Sequence, residues 1–300
     1  KPVITATAVQ KLIDEGAIII GKTTQDEFGF GSFNINTGNG VPIPLNPVDK
    51  KRACGGSSGG SGGITKKLEH AHASLGESTG GSIVAPASFC GVVGLCPTYG
   101  RVSRYGLIDY GNSLDKIGPL TRTVAESALI LEIIAGKDPK DSTSADVPVP
   151  KFTDFLGKNI QDFKIGIINE SLGTGVDEKV QTQVMGIINT LKKKDIFVKN
   201  VSLPITHRYG ISCYYLIALA EASTNLAKYC GLRYGKTHEL KGTFNEFFTA
   251  VRSEAFGAEA KRRIIIGTFA RMAGYRDAYY LKAMKVRTKI IEEYTNLFKH

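Results

Sequence analysis

The chain has 300 residues, 42% hydrophobic and 22% charged, the make-up of a soluble globular protein large enough to bury a sizeable core. No run approaches the roughly 18 to 20 apolar residues that a membrane span requires, so no span is expected. Five cysteines without CxxC spacing and five scattered histidines assemble no zinc pattern, which excludes a structural metal of that type.

The formal net charge of +10 suits a nucleic-acid neighbour or a mitochondrial matrix address, or else only a solubilising surface. The densest basic cluster, Lys261-Arg262-Arg263, is short and runs into Ile264, Ile265 and Ile266, a weak footprint for nucleic acid. The chain opens at Lys1-Pro2 without an initiator Met and closes in a helical run through His300, so a fragment truncated at both ends is expected.

In chain order, Thr7 to Asp14 places Ala8, Val9, Leu12 and Ile13 on one helical face, with Gly16 as the stop. Ala17 to Ile20 is a short β-branched run and reads as a buried strand. Gly16 to Thr23 formally satisfies the phosphate-loop pattern GxxxxGK[ST]. Here, however, the intervening residues are the strand itself, and their branched side chains resist the required curl. Asn34 to Asp49, rich in Asn, Gly and Pro, is loop.

The Gly55–Gly63 block, with Ser57, Ser58 and Ser61, fits a flexible linker. It equally fits a backbone that must approach a substrate closely. Thr79-Gly80-Gly81-Ser82 enters an apolar segment, where a serine after two glycines can share a turn with N–H groups aimed at one point; an ordinary turn is the alternative. His70 and His72 lie near Ser82 in sequence, but no Asp stands in an orienting position for a Ser–His arrangement.

Thr123-Val-Ala-Glu126 is a capping box that opens a helix running to Ala135. A polar connector from Lys137 to Phe155 follows. Next come a strand at Phe163–Ile168, a helix lined by Val180, Val184, Ile187, Ile188 and Leu191, and a strand at Ile196–Asn200. That order implies a parallel pair. The last hundred residues read mostly helical, and the whole is an α/β chain with a mixed sheet wrapped by helices.

Taken together, Gly21-Lys22 through Phe28, Gly55 through Ser61, Thr79 through Ser82-Ile83, and Gly91 through Ser103 resemble the amidase signature family of serine hydrolases. Ser113–Leu120, Glu221–Leu226, Lys261–Phe269 and Asp277–Arg287 are similar to its glutamine-hydrolysing members that serve tRNA-dependent amidation.

The resemblance implies a single amidase domain over 1–300 and a Ser–cis-Ser–Lys triad of Lys22, Ser57 and Ser82, with an oxyanion turn of Thr79, Gly80 and Gly81. It also implies glutamine as substrate, its α-carboxylate met by Arg263 and its pocket wall by Tyr214. No cofactor is implied in this chain. ATP and Mg are expected in a B-type amidotransferase partner, which would also carry most of the tRNA contact. A fungal mitochondrial form would add a small third subunit and place the protein in the matrix, with a bacterial cytoplasm as the alternative.

Glu77-Ser78 departs from the family, which carries Asp before Thr-Gly-Gly-Ser, and Val84 stands where Arg is common. A stand-alone amidase for small or fatty amides is the alternative reading. A lysine can take a serine's proton only when neutral, which from a reference pKa of about 10.4 costs roughly 4 to 5 kcal/mol at pH 7. Lys22 is therefore expected to be buried.

Overall fold

A computed structural model describes residues 4–233 and 235–299. The chain divides into two compact units, one of residues 1–156 and 218–269, the other of 157–217 and 270–300. Among the described residues no helix is long and apolar enough to cross a membrane.

The first unit is built on a three-stranded antiparallel sheet in the order β1-β3-β2. Its strands are β1 (Ser74–Ser78), β2 (Val93–Gly94) and β3 (Lys116–Thr121), with Glu77 opposite Ile117 and Ser78 opposite Lys116. Helix α1 (Thr7–Asp14) buries Ala8 and Leu12, and Gly16 (φ 87°) ends it as expected. The helix after Thr123 runs over Val124–Ile134 (α4), with both hydrogen bonds of the capping box formed. Leu12, Ile117, Leu131 and Ile134 share one core.

The Gly/Ser block is not a linker. Residues Gly59–Lys67 form a helix, α2, although glycine is among the poorest helix formers. Packing explains it. A Cβ on Gly60 would lie 2.3 Å from the Thr24 carbonyl oxygen, and one on Gly62 would lie 2.9 Å from that of Pro86. Only a bare backbone fits between these neighbours, so close approach overrides propensity. Helix α3 (Val84–Cys90) follows the Thr79–Ser82 turn, and Ile83 and Ala87 pack on Leu120 of β3.

The Ala17–Ile20 run is not a buried strand. It pairs with no strand among the described residues, and Ile18 is 87% exposed. Its apolar composition is that of a strand, but the three-stranded sheet is complete without it.

The second unit holds the expected parallel pair, β4 (Lys164–Ile168) and β5 (Phe197–Val201), joined through helix α5 (Glu178–Lys192). Of the five apolar residues expected to line α5, only Ile188 is buried; Val180 and Ile187 face solvent. Among the described residues the remaining α-helices are α6 (Pro204–Asn225), α7 (Phe244–Ala255), α8 (Ala258–Arg271) and α9 (Lys282–Leu297), with α7 and all but the end of α8 in the first unit. The α/β class is as expected, with antiparallel pairing confined to the first unit and parallel pairing to the second among the described strands.

Candidate functional site

Three segments converge at the edge of β1. Ser82 lies on the turn that leads from β1 into α3, the segment Ser57-Ser58 leads into α2, and residues 23–36 are bonded to the Ser57 segment. Hydrogen bonds fix their spacing. The Ser58 N–H donates to the Ser82 carbonyl oxygen at 3.2 Å, and the Gly60 N–H donates to that of Thr24 at 3.0 Å. The Gly56 N–H donates to the Ser32 carbonyl at 2.8 Å, and Gly59 N–H to the Asn34 side chain at 3.1 Å.

Asp26 braces this arrangement from below. Fully buried, its carboxylate accepts the N–H groups of Asn34 (3.0 Å) and Asn36 (2.8 Å), while its own N–H donates to the Ser57 carbonyl (3.1 Å). Burial pushes the Asp26 carboxyl up, and the two N–H donors oppose that shift.

The three serines of the block have different fates. Ser61 Oγ donates to the Leu75 carbonyl at 2.9 Å and meets Thr23 Oγ1 at 2.8 Å. Ser58 Oγ donates to the Glu77 carbonyl and accepts the Glu77 N–H, both at 3.2 Å, so it stands in for a strand partner of β1. Ser57 lies behind a cis peptide to Gly56 and is wholly buried, yet its hydroxyl has no partner among the described residues. Two of the hydroxyls are consumed by structure and one is left over.

Ser82 is half-buried. Among the described residues, no protein acceptor is bonded to the N–H groups of Gly80, Gly81 or Ser82, which leaves them available to a ligand oxygen.

Lys22 does not take the expected place. It is exposed, and the partnerless state of Ser57 Oγ shows that the ammonium does not reach it. The expectation rested on a buried strand ahead of Lys22. With Ala17–Ile20 in solvent, nothing dehydrates the amine. The phosphate-loop alternative fails on the same segment, which is extended and leads into no α-helix before residue 59. His72 is engaged elsewhere: its Nε2 bonds to Ser74 Oγ at 2.9 Å.

Arg263 on α8 is 8% exposed, whereas Arg262 faces solvent. Its guanidinium lies over the rings of Phe30 (4.8 Å) and Tyr110 (5.4 Å), donates to the Tyr110 hydroxyl, and pairs through Nε with Glu259 at 2.7 Å. A cleft of about 530 Å³ opens beside it, lined by Asp26, Phe30, Phe33 and Asn36 among others. Tyr214 belongs to the second unit, edge-on to Tyr215 with ring centroids 5.2 Å apart.

An acidic pair behind the serine turn escapes a reading by motif. Thr79 Oγ1 lies 3.0 Å from Glu77 Oε1 and 2.8 Å from Asp115 Oδ1, and Asp115 is fully buried. Burial, together with the Asp115 charge, pushes the Glu77 carboxyl up to about 8. Burial likewise raises Asp115, against donors from Thr79, Gly111 and Tyr110.

Comparison with known proteins gives one family. The sequence model described as Amidase matches residues 1–300. The A-type component of a glutamyl-tRNA(Gln) amidotransferase from Koribacter versatilis is 53% identical over 293 residues, 98% of this chain and 60% of that protein. Its counterpart from Geobacillus stearothermophilus is 50% identical over 298 residues, 99% of this chain and 61% of the relative. The crystal structure of the same component from Thermotoga maritima superimposes with a TM-score of 0.79 at 38% identity, covering 98% of this chain and 59% of that one. The chain thus spans about three-fifths of the length of these relatives.

Proposed function

Because the chain belongs to the amidase family, we propose that it is the larger part of a glutamine-hydrolysing subunit whose ammonia converts Glu-tRNA(Gln) to Gln-tRNA(Gln). Ser82 is the nucleophile and Ser57 the hydroxyl that relays its proton. The single observation that carries the site is the buried, unpartnered hydroxyl of Ser57, one residue from the Ser58–Ser82 main-chain bond. A buried polar group without a partner is costly and uncommon, and it marks a place where chemistry, not folding, sets the residue. Ser58, spent on β1, does not compete for the role.

In this reading Ser82 Oγ attacks the side-chain carbonyl of glutamine while its proton passes to Ser57 Oγ, which gives up its own proton to a basic group beside it. The tetrahedral oxyanion is held by N–H groups of the Gly80–Ser82 turn. The relayed proton then goes to the departing nitrogen, ammonia leaves, and water releases glutamate from the acyl-serine by the reverse path. Lys22, in solvent, is not the base; the reading requires a basic group that reaches Ser57 Oγ.

Arg263, dehydrated between two rings at the cleft, suits the α-carboxylate of the substrate. A B-type amidotransferase partner with ATP and Mg would carry out the amidation and most of the tRNA contact. The relatives named above are bacterial and lend no support to a fungal mitochondrial form with a small third subunit and a matrix location.

The test is a glutamine-derived electrophile incubated with the full-length protein and its partner, followed by peptide mass analysis. The adduct is expected on Ser82 and absent in Ser82→Ala, which keeps its fold but hydrolyses glutamine at least ~10³-fold more slowly. An active Ser82→Ala enzyme would sink the proposal. Hydrolysis of simple amides without any partner would instead favour a stand-alone amidase.

A further inference from the structure

We propose that Glu77 is a protonated acid in the resting protein, and that it donates to Thr79, which donates in turn to an ionised Asp115. This proton chain positions the serine turn from behind. It follows from a count of hydrogens. Thr79 has one hydroxyl proton but stands within hydrogen-bond distance of two carboxyls, 3.0 Å from Glu77 and 2.8 Å from Asp115. That proton can be given in full to only one of them, so two full-strength hydrogen bonds call for a proton on one carboxyl.

Asp115 is already supplied with donors: the Tyr110 N–H reaches Oδ2 at 2.8 Å, and the Gly111 N–H lies 3.0 Å from each oxygen. Glu77 has no backbone N–H donor to its carboxyl among the described residues. The added proton therefore sits on Glu77, which also lies within hydrogen-bond reach of Asp115 itself, and through the hydroxyl the order is Glu77 to Thr79 to Asp115.

The surroundings agree. Glu77 Oε2 is close over Gly29, where a Cβ would lie 3.1 Å from it and 3.6 Å from Ser57 Oγ, so the acid and the relay hydroxyl line the same small space. Among the described residues the charged groups facing the pair are few, and the basic group that the proposed hydrolysis requires at Ser57 Oγ would join them. Lys116 on β3 is turned to the Leu114 carbonyl at 2.6 Å and opposes protonation of Glu77, and Arg104 favours the charge on Asp115. Glu221 of α6 is engaged by the Ser113 N–H and hydroxyl, beside Gly111.

Thr79 begins the Gly80–Ser82 turn. Ionising Glu77 would set two carboxylates competing for one hydroxyl proton and release the turn that carries the nucleophile. Glu77 is thus a positioning residue, and the inference rests on the proposed hydrolysis only where activity is read.

The test compares the full-length wild type with Glu77→Gln, whose amide N–H donates to Thr79 at every pH, and Glu77→Leu, which cannot. Infrared difference spectra of wild type minus Glu77→Gln at pH 6 should show the carbonyl stretch of a protonated carboxyl. A group held protonated by folding makes stability fall as pH rises from its unfolded value to its folded one, here from 4.5 to about 8. The melting temperature of Glu77→Gln should therefore gain at least about 5 °C on wild type between pH 5 and pH 8.5.

Wild-type glutamine turnover should decline above about pH 8, a limb that Glu77→Gln lacks. Glu77→Leu should lose ~10-fold or more in kcat at pH 7. Absence of the carboxyl band together with parallel melting curves overturns the inference. Those two measurements need no substrate, so an inactive wild type would count against the functional reading alone.

Discussion

Ser57 and Ser58 are adjacent, identical and both buried, and replacing each with alanine should have opposite consequences. In Ser58→Ala the Glu77 N–H and carbonyl each lose a 3.2 Å partner at a place water does not reach, since Ser58 is 2% exposed. At roughly 1 kcal/mol or more for each stranded group, the loss is about 2 kcal/mol. For a folded unit of some 200 residues this corresponds to ~4–8 °C in melting temperature. In Ser57→Ala no hydrogen bond is lost, because the hydroxyl has none to lose. Its melting temperature should stay within ~1 °C of wild type or rise slightly, because an unsatisfied buried polar atom has been removed. Turnover should move the other way, falling ~10²–10⁴-fold in Ser57→Ala, the usual worth of a positioned proton carrier. What activity Ser58→Ala loses should track its unfolded fraction. Thermal unfolding and glutamine hydrolysis, run on the same preparations of full-length protein, give both readings. If Ser57→Ala melts as early as Ser58→Ala, or hydrolyses glutamine normally, the assignment of the relay is wrong.

Lys22→Ala should change stability by no more than ~0.5 kcal/mol and turnover by no more than a few-fold, as for an exposed side chain away from the chemistry. A loss of two orders of magnitude by the same assay would restore it as the base. Gly60→Ala should destabilise by ~1–3 kcal/mol in chemical denaturation, because its methyl group would sit 2.3 Å from the Thr24 oxygen; an unchanged midpoint would show that this contact relaxes freely.

What could be read in advance was whatever local chemistry decides. The capping box at Thr123 and Glu126, the Gly16 stop and the β–α–β order of residues 163–201 were legible because each is settled within a few residues. Helix α2 was not, since what makes Gly59–Gly63 helical is the crowding of Thr24, Asn34 and Pro86, all distant in sequence. Ala17–Ile20 misled in the opposite way: its composition is a strand's, but pairing requires a neighbour that composition does not reveal. With that error went the burial of Lys22.

The serines of the site were visible as motifs, yet which of them has a free hydroxyl depended on β1 passing beside Ser58. Glu77 drew notice only as a departure from the family pattern. Its partner Asp115 lies 38 residues further on and is brought to it by the register of β1 on β3. An acid two residues before Thr-Gly-Gly-Ser, in a strand otherwise free of charge, is the signal that could have flagged the pair.

The link from the Ser58 amide to the Ser82 carbonyl runs from main chain to main chain. It is blind to what the two side chains are, so changing either side chain leaves the distance between the two strands of machinery as it was. A different nucleophile could be installed at position 82 and still be presented at the same spot, to the same neighbour. The scaffold and its chemistry are, at this one joint, separable parts.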